Sequence, residues 1–331
     1  MGRLRIGGQV SYLDGSPAEA AKVFIIEKDS GPGGRDDNIL EVVCDANGRF
    51  SGLSREWNDR EGVVWGVNLP DILNLAFRVE LDGRKHAGPF VRLGNSSAPI
   101  VLPWGQPKPV RKEDRDLVQV IYLSDGFTGA ERALYEFIEK SAKTVASSIL
   151  GPLYRRLTCL EKNEATLPNF VQAVKVATDS RVEAVDVIFN LHGNTDRLEF
   201  ADRKYQMSAV RDAFLALPPK NRKKLRCVFS TACYGKSHLD EWIDAGFNEA
   251  MGSRGISADA QTSYVPLLGA WALENAFAAS VNASNDADPL RLGDQLARAF
   301  YTAQGKDAQA SEIDSFRERL GNGRSKIYTT P

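Results

Sequence analysis

The chain has 331 residues, of which 43% are hydrophobic and 26% charged, and its formal net charge is -1. This length exceeds one ordinary domain and fits two. A net charge near zero argues against a nucleic-acid binder, because such proteins neutralise phosphates with a basic surface. No apolar run approaches the roughly 20 residues of a membrane span, and the first eight residues lack the apolar core of a signal peptide. We therefore expect neither nucleic acid nor a membrane as a partner.

Residues 1–103 are predicted to form a small all-β sandwich domain. Short apolar segments at 6–12, 23–26 and 75–81 are typical of strands, and Gly, Asp and Asn turn signals separate them. The segments GQVSYLDGSP, which begins at residue 8, and DANGRF, which begins at residue 45, resemble the transthyretin-like or carboxypeptidase-regulatory β-sandwich. That resemblance implies a structural or docking module without chemistry of its own, and hence a protein partner bound through this domain.

A linker is predicted over residues 104–115. Prolines at positions 103, 107 and 109 favour an extended, semi-rigid chain, and a charge run follows them. The second domain is then predicted to span residues 116–331.

The pattern of the second domain alternates between strands and helices. Its predicted elements are a strand at 117–123, a helix at 130–150, a strand at 157–160, a helix at 167–177 capped by Thr166, a hairpin at 198–207, helices at 209–217 and 242–247, a strand at 250–252, and helices over much of 265–320. Such alternation predicts a mostly parallel sheet covered by helices on both faces.

Two further apolar segments end in side chains that are able to perform catalysis. VIFNLHG ends at His192 and Gly193, and CVFSTACYG carries Cys233 near its end. Sites in open parallel sheets form beyond the carboxyl ends of the strands, so neighbouring strands would bring His192 and Cys233 to one cleft. A thiol with an ordinary pKa is mostly protonated at neutral pH and needs a nearby base to become a nucleophile. Gly193 and Gly235 permit the close backbone approach that a peptide substrate requires.

The other three cysteines, Cys44, Cys159 and Cys227, have apolar neighbours and are predicted to pack in the interior. No Cys-x-x-Cys pair occurs, and a chain this long needs no disulfide framework. We therefore expect a reduced, cytoplasmic protein without a cofactor or a bound metal. The sequence leaves open whether calcium is needed for activation.

A strand that ends in His-Gly, followed by a strand that ends in Ala-Cys-x-Gly, resembles the caspase-like cysteine peptidases. This group includes caspases, metacaspases, legumain, clostripain, gingipains and separase, and the resemblance covers residues 116 to about 305. It implies a caspase-like α/β/α sandwich with a mostly parallel sheet, and an endopeptidase that cleaves protein or peptide substrates with a dyad of His192 and Cys233. The backbone amides of Gly193 and Cys233 would form the oxyanion hole, and no third catalytic side chain would be required.

The pocket that selects the residue before the cut departs from the family pattern at Thr231. Metacaspases carry an acidic residue at this position, two before the cysteine, and caspases carry Gln. Asp125, which follows the first strand of the second domain, is a candidate for selecting Arg or Lys, and Arg254 is a candidate for selecting Asp. Asp125 ends the first strand at the same edge as His192 and Cys233, and a net charge near zero offers no broad field that could select a charged substrate instead. We therefore predict Arg or Lys before the cut, with Asp as the alternative.

Two other functions fit part of the sequence. Gly235, Lys236 and Ser237 follow a strand as in an ATP-binding P-loop, but Ser230 stands where that motif needs its first glycine. The P-loop hypothesis also leaves His192 unexplained. A catalytically silent caspase-like scaffold that binds other proteins would keep the same fold. The sequence contains no Gly-x-Ser-x-Gly elbow, His-Glu-x-x-His motif or Cys/His metal cluster.

Overall fold

The structure is a computed structural model. The chain forms two compact units, residues 1–106 and 107–331. The structure describes residues 5–12, 15–27, 37–55, 63–64, 67–68, 74–81, 84–92, 100–101, 108–321 and 323–331. Residues 104–107 of the predicted linker lie outside these ranges. The part of that segment from 108 onward pairs with the end of the chain, because Pro109 forms a β-bridge with Thr329 and the Val110 amide donates to the Tyr328 carbonyl over 2.6 Å.

The first unit is a small all-β domain. Its described strands are β1 (Arg5–Ser11), β2 (Lys22–Glu27), β3 (Asp37–Val43), β4 (Arg49–Leu53), β5 (Val63–Val64), β6 (Val67–Asn68), β7 (Asn74–Leu81), β8 (Arg84–Arg92) and β9 (Ile100–Val101). They form one sheet in the order β4-β1-β9, another in the order β3-β2-β7-β8, and the β5-β6 pair. The strands predicted at 6–12, 23–26 and 75–81 are confirmed, whereas the turn signals at Asp14 and at 82–83 lie outside the described residues.

The alternation of side chains along β2 and β7 explains how this unit forms a core. Val23 and Ile25 of β2, like Phe77 and Val79 of β7, point inward and are buried, whereas the residues between them are partly exposed. The likeness to the transthyretin-like domains stays a prediction.

The second unit contains the remaining strands and all of the described helices. The strands are β10 (Arg115–Tyr122), β11 (Arg156–Glu161), β12 (Ala184–Leu191), β13 (Gly193–Asn194), β14 (Arg197–Glu199), β15 (Lys204–Gln206), β16 (Leu225–Ser230), β17 (Glu249–Ser253) and β18 (Arg317–Gly321). The helices are α1 (Gly129–Ile149), α2 (Leu167–Asp179), α3 (Met207–Leu215), α4 (Pro219–Arg222), α5 (Leu239–Asp244), α6 (Ala260–Ala272), α7 (Phe277–Asp286), α8 (Leu292–Ala303) and α9 (Asp307–Ser311). Among the described residues, no helix combines the length and hydropathy that crossing a membrane requires.

A six-stranded sheet in the order β11-β10-β12-β16-β17-β18 organises this unit. The first five strands are parallel and β18 is antiparallel to β17. Side chains from α2, α3 and α5 pack on one face of the sheet, and side chains from α1, α6 and α7 pack on the other. Strand β12 is buried along its whole length because both of its faces are covered. The predicted class, a mostly parallel α/β/α sandwich preceded by a small all-β domain, is confirmed.

The structure differs from the sequence-based expectation at one strand and adds detail to two predicted helices. Strand β18 falls in a region that was expected to be helical, since its charged RERLG sequence lacks the apolar run of a central strand and it pairs only at the edge of the sheet. Leu134 and Phe137, in the helix predicted at 130–150, are 56% and 62% exposed, because the buried face of α1 is formed by Ala142 and Ala146. The helix predicted at 242–247 begins earlier, at Leu239, and a 3-10 turn over Gly235–His238 precedes it.

Candidate active site

The carboxyl ends of β12 and β16 lie side by side, and the predicted dyad follows them directly. Phe189 of β12 is paired with Ser230 of β16, so three residues further along both chains lead to His192 and Cys233. The pairing continues past the assigned strand, because the Thr231 amide donates to the Phe189 carbonyl over 2.9 Å. His192 and Cys233 therefore lie on neighbouring chain segments just beyond the carboxyl ends of these two strands.

Gly193 touches the backbone of Cys233. A Cβ atom built on Gly193 would lie 2.4 Å from the Cys233 carbonyl oxygen and 3.3 Å from the Cys233 nitrogen. Only a residue without a side chain fits this contact, which is the physical reason for the His-Gly sequence at the end of β12. The peptide groups at 193 and 233 are thus held together at the point where an oxyanion hole was predicted.

The turn that carries Cys233 is fixed by two further backbone features. Tyr234 adopts a left-handed conformation with φ of 54°, which is uncommon for a bulky residue and is typical of functional sites. Gly235 packs against β17, since a Cβ built on it would lie 2.8 Å from the Cα of Gly252. The Ser253 hydroxyl lies 3.0 Å from the Ala232 carbonyl oxygen, which joins the end of β17 to the same turn.

The imidazole of His192 has one fixed hydrogen-bond partner. Its Nε2 lies 2.7 Å from the Leu123 carbonyl oxygen at the end of β10. A carbonyl only accepts, so Nε2 carries the hydrogen and the neutral ring keeps its lone pair on Nδ1. The rings of Phe127 and Tyr135 flank the imidazole at centroid distances of 5.5 Å and 5.1 Å. Within residues 108–321, no hydrogen bond joins this ring to the Cys233 thiol.

The Cys233 thiol is poised as a neutral group. Burial raises the pKa of Cys233, and the backbone N–H groups of Ser257 and of Cys233 itself oppose this rise without cancelling it. A partly buried thiol with a raised pKa stays protonated at neutral pH until a base accepts its proton. Burial raises the pKa of the Tyr135 hydroxyl to about 12, with smaller contributions from Tyr301 and from the Cys233 thiol.

The three residues predicted to select the substrate lie in different settings. Asp125 is exposed and accepts a hydrogen bond from the Tyr122 hydroxyl. Arg254 is also exposed and donates to Glu318 over 2.5 Å. Thr231 is half-buried and lies two residues before Cys233. Its hydroxyl donates to the Phe189 carbonyl. Their roles in selection stay predictions.

A buried polar network behind Thr231 was missed by the sequence analysis. Asn190 donates from Nδ2 to the Thr231 hydroxyl over 3.1 Å and accepts from Gln119 Nε2 over 2.9 Å. Gln119 Nε2 also lies 3.3 Å from the Tyr264 hydroxyl. A polar residue at an inward position of a buried strand needs a polar partner. Gln119 in β10 and Asn190 in β12 are such residues, so the sequence contained a sign of this network.

Two other polar residues near Cys233 have structural partners. His238 is buried, and its Nε2 donates to the Asn194 carbonyl over 2.9 Å, which ties the 3-10 turn to β13. Burial lowers the pKa of His238. Lys236, the lysine of the P-loop alternative, is exposed and pairs with Glu318 at 3.1 Å. No group of His, Cys, Asp and Glu side chains within the described part of the chain is arranged to hold a metal ion.

Comparisons with known proteins give partial likenesses. No protein-family model matches the chain. Two curated relatives are both named G2/mitotic-specific cyclin-B2: that of Oryzias latipes is 27% identical over 139 residues, which cover 41% of this chain and 33% of the cyclin. That of Oryzias javanicus is 31% identical over 88 residues, which cover 27% of this chain and 22% of the cyclin. The chain thus spans a third or less of the length of these relatives.

Among solved structures, the chain is similar to caspase-1 from Spodoptera frugiperda, with a TM-score of 0.42 and 11% identity, over 66% of this chain and 93% of the caspase. It is also similar to a secreted C11 cysteine protease from Bacteroides thetaiotaomicron, with a TM-score of 0.37 and 10% identity, over 54% of this chain and 62% of the protease.

Proposed function

We propose that this chain is a cysteine endopeptidase in which Cys233 is the nucleophile and His192 the general acid and base. The observation that carries the proposal is the meeting of two strand ends: His192 and Cys233 follow neighbouring parallel strands, and Gly193 touches the Cys233 peptide group. A histidine, a thiol and two adjacent backbone amides at one sheet edge are the parts that acyl transfer needs.

The reaction begins when a substrate peptide carbonyl enters the space beside Cys233. The proton of the thiol passes to Nδ1 of His192, and the thiolate sulfur bonds to the carbonyl carbon. The amides of Gly193 and Cys233 donate to the oxygen that becomes negative. When the C–N bond breaks, His192 returns its proton to the leaving amine, which leaves an acyl-enzyme thioester. Water then attacks the thioester with His192 as base, which releases the acid and restores the thiol.

The neutral thiol fits this order of events. Because burial keeps the thiol protonated in the resting protein, the proton transfer to His192 belongs to the attack itself. The absence of a direct hydrogen bond between the two side chains in residues 108–321 is compatible with the substrate completing the geometry, since catalytic hydrogen bonds are often long before substrate binds.

Charged side chains near the site would select the substrate. A basic side chain before the cut would pair with Asp125, and the alternative, an acidic side chain, would pair with Arg254. The small β domain would contribute a docking surface for a protein partner, and we expect the protein to act in the cytoplasm, without a cofactor.

The dyad is tested with Cys233→Ala and His192→Ala. Each variant should lose cleavage of a fluorogenic peptide library while keeping the melting temperature of the wild type, and a peptidyl chloromethyl ketone should add one label, at Cys233. Cys159→Ala is the matched control, because burial raises the pKa of Cys159 to about 11 and makes it a poor nucleophile. Full activity of Cys233→Ala would refute the peptidase assignment.

A catalytically silent scaffold is the second candidate, and the observation that favours it is that no hydrogen bond joins the His192 ring to the Cys233 thiol within residues 108–321. In that case the folded wild type would cleave nothing in the library, and the ketone would label neither Cys233 nor Cys159.

A further inference from the structure

One peptide group in the second unit is hydrogen-bonded at both ends to side chains that matter for the dyad. The carbonyl of Leu123 accepts from His192 Nε2 over 2.7 Å, and the amide of Ser124, which belongs to the same peptide group, donates to Glu139 Oε1 over 2.9 Å. A continuous chain of hydrogen bonds therefore runs from a carboxylate to the imidazole through a single peptide bond.

The hydrogen bonds of Glu139 all go to Leu123 and Ser124. Its Oε1 also accepts from the Leu123 amide over 2.6 Å, and its Oε2 accepts from the Ser124 hydroxyl over 2.9 Å. It forms no salt bridge with any of the described residues, and Arg132, whose pKa Glu136 raises most and Glu139 helps to raise from a distance, pairs directly with Glu136 instead. Three hydrogen bonds from one two-residue segment fix both the carboxylate and the chain that it holds.

The charge of Glu139 acts on the far end of the peptide. A carboxylate that accepts from the N–H end polarises the peptide group and makes its carbonyl a better acceptor, and linked hydrogen bonds strengthen one another by roughly 10–30% each. The stronger carbonyl favours the His192 tautomer with hydrogen on Nε2, and this tautomer leaves Nδ1 free to take the thiol proton.

We propose that Glu139 is a positioning residue for His192, and that it acts through the peptide group between Leu123 and Ser124. It does not touch the substrate or the thiol; it holds the imidazole in one tautomer and one orientation. The catalytic consequence rests on the proposed peptidase function, whereas the effect on the tautomer does not.

Glu139→Gln is the variant that isolates the charge. The amide oxygen of Gln can still accept from both backbone amides, so the fold is retained while the negative charge is removed. Glu136→Gln is the matched control, because Glu136 lies one turn earlier on α1, is exposed, and pairs with Arg132 at 2.8 Å rather than with the backbone at 123–124. The tautomer is read from the ¹⁵N chemical shifts of the imidazole, and the His192 signals are assigned by their loss in His192→Ala.

In the wild type and in Glu136→Gln, the His192 shifts should report hydrogen on Nε2 alone. In Glu139→Gln they should report a mixture of tautomers. If the chain is a peptidase, kcat should fall about tenfold to a hundredfold, by analogy with the loss of a hydrogen-bond partner that orients a metal-binding histidine, with KM within about twofold because substrate contacts are unchanged. Unchanged ¹⁵N shifts in Glu139→Gln would overturn the proposal, even if its melting temperature falls. If no variant has peptidase activity, the ¹⁵N arm still decides the role of Glu139.

Discussion

The contact between Gly193 and Cys233 makes a substitution at Gly193 the most direct probe of the site. The Cβ of Gly193→Ala would lie 2.4 Å from the Cys233 carbonyl oxygen and 3.0 Å from the Ala232 Cβ. A relaxed carbon–oxygen contact needs over 3 Å, so the two segments must separate by roughly 1 Å, and a displacement of that size at reacting groups costs about a hundredfold in rate. This factor equals about 2.7 kcal/mol of transition-state stabilisation.

The assay is steady-state cleavage of a fluorogenic peptide, with ketone labelling of Cys233 measured in parallel. Gly193→Ala should lose about a hundredfold in kcat/KM and should also label slowly, because the sulfur and the oxyanion donors are moved apart. Gly269→Ala is the control: a Cβ at Gly269 meets nothing within 4 Å, and alanine favours the helix α6 in which it lies. Wild-type activity in Gly193→Ala would show that this contact does not form part of the site.

Three further predictions address the alternatives and the stability of the second unit. Lys236→Ala should change cleavage by only a few-fold, since Lys236 pairs with Glu318; magnesium-dependent ATP binding that this variant loses would favour the P-loop hypothesis instead. Asp125→Asn should reduce turnover of Arg substrates about tenfold, the lower end of the range for a charge-assisted pair, because Asp125 is exposed; equal turnover in the variant and the wild type would exclude this pocket. Burial raises the pKa of Glu249 from 4.5 to about 7, so the folded state binds the proton more tightly and stability should fall by about 3 kcal/mol as the pH rises through this interval. Glu249→Gln should abolish this fall in urea melts between pH 5 and pH 8, and an identical pH dependence in both proteins would contradict the assignment.

Much of the second unit was predictable because its central strands are buried and mostly apolar. Strands β12 and β16 are buried on both faces, so their sequences are rich in hydrophobic residues up to their ends, and the residues that follow those ends are visible as candidates. The cap of α2 was predictable for a local reason, since the Thr166 hydroxyl accepts from the Asn169 amide two positions into the helix. Strand β18 was not, because an edge strand paired on one side carries a charged sequence that no short-range pattern distinguishes from a helix.

Within the site, sequence patterns predict less than they do for the fold. Helix α1 carries Glu136 and Glu139 three residues apart, and nothing in their spacing tells which carboxylate faces solvent and which accepts from the backbone. The difference arises from the packing of α1 beside β10, which brings Glu139 to the amides of Leu123 and Ser124 and leaves Glu136 with Arg132. Because the histidine is oriented through a peptide group rather than a side chain, a motif search finds no third residue for the dyad. The orienting carboxylate becomes visible only when hydrogen bonds are followed through the backbone.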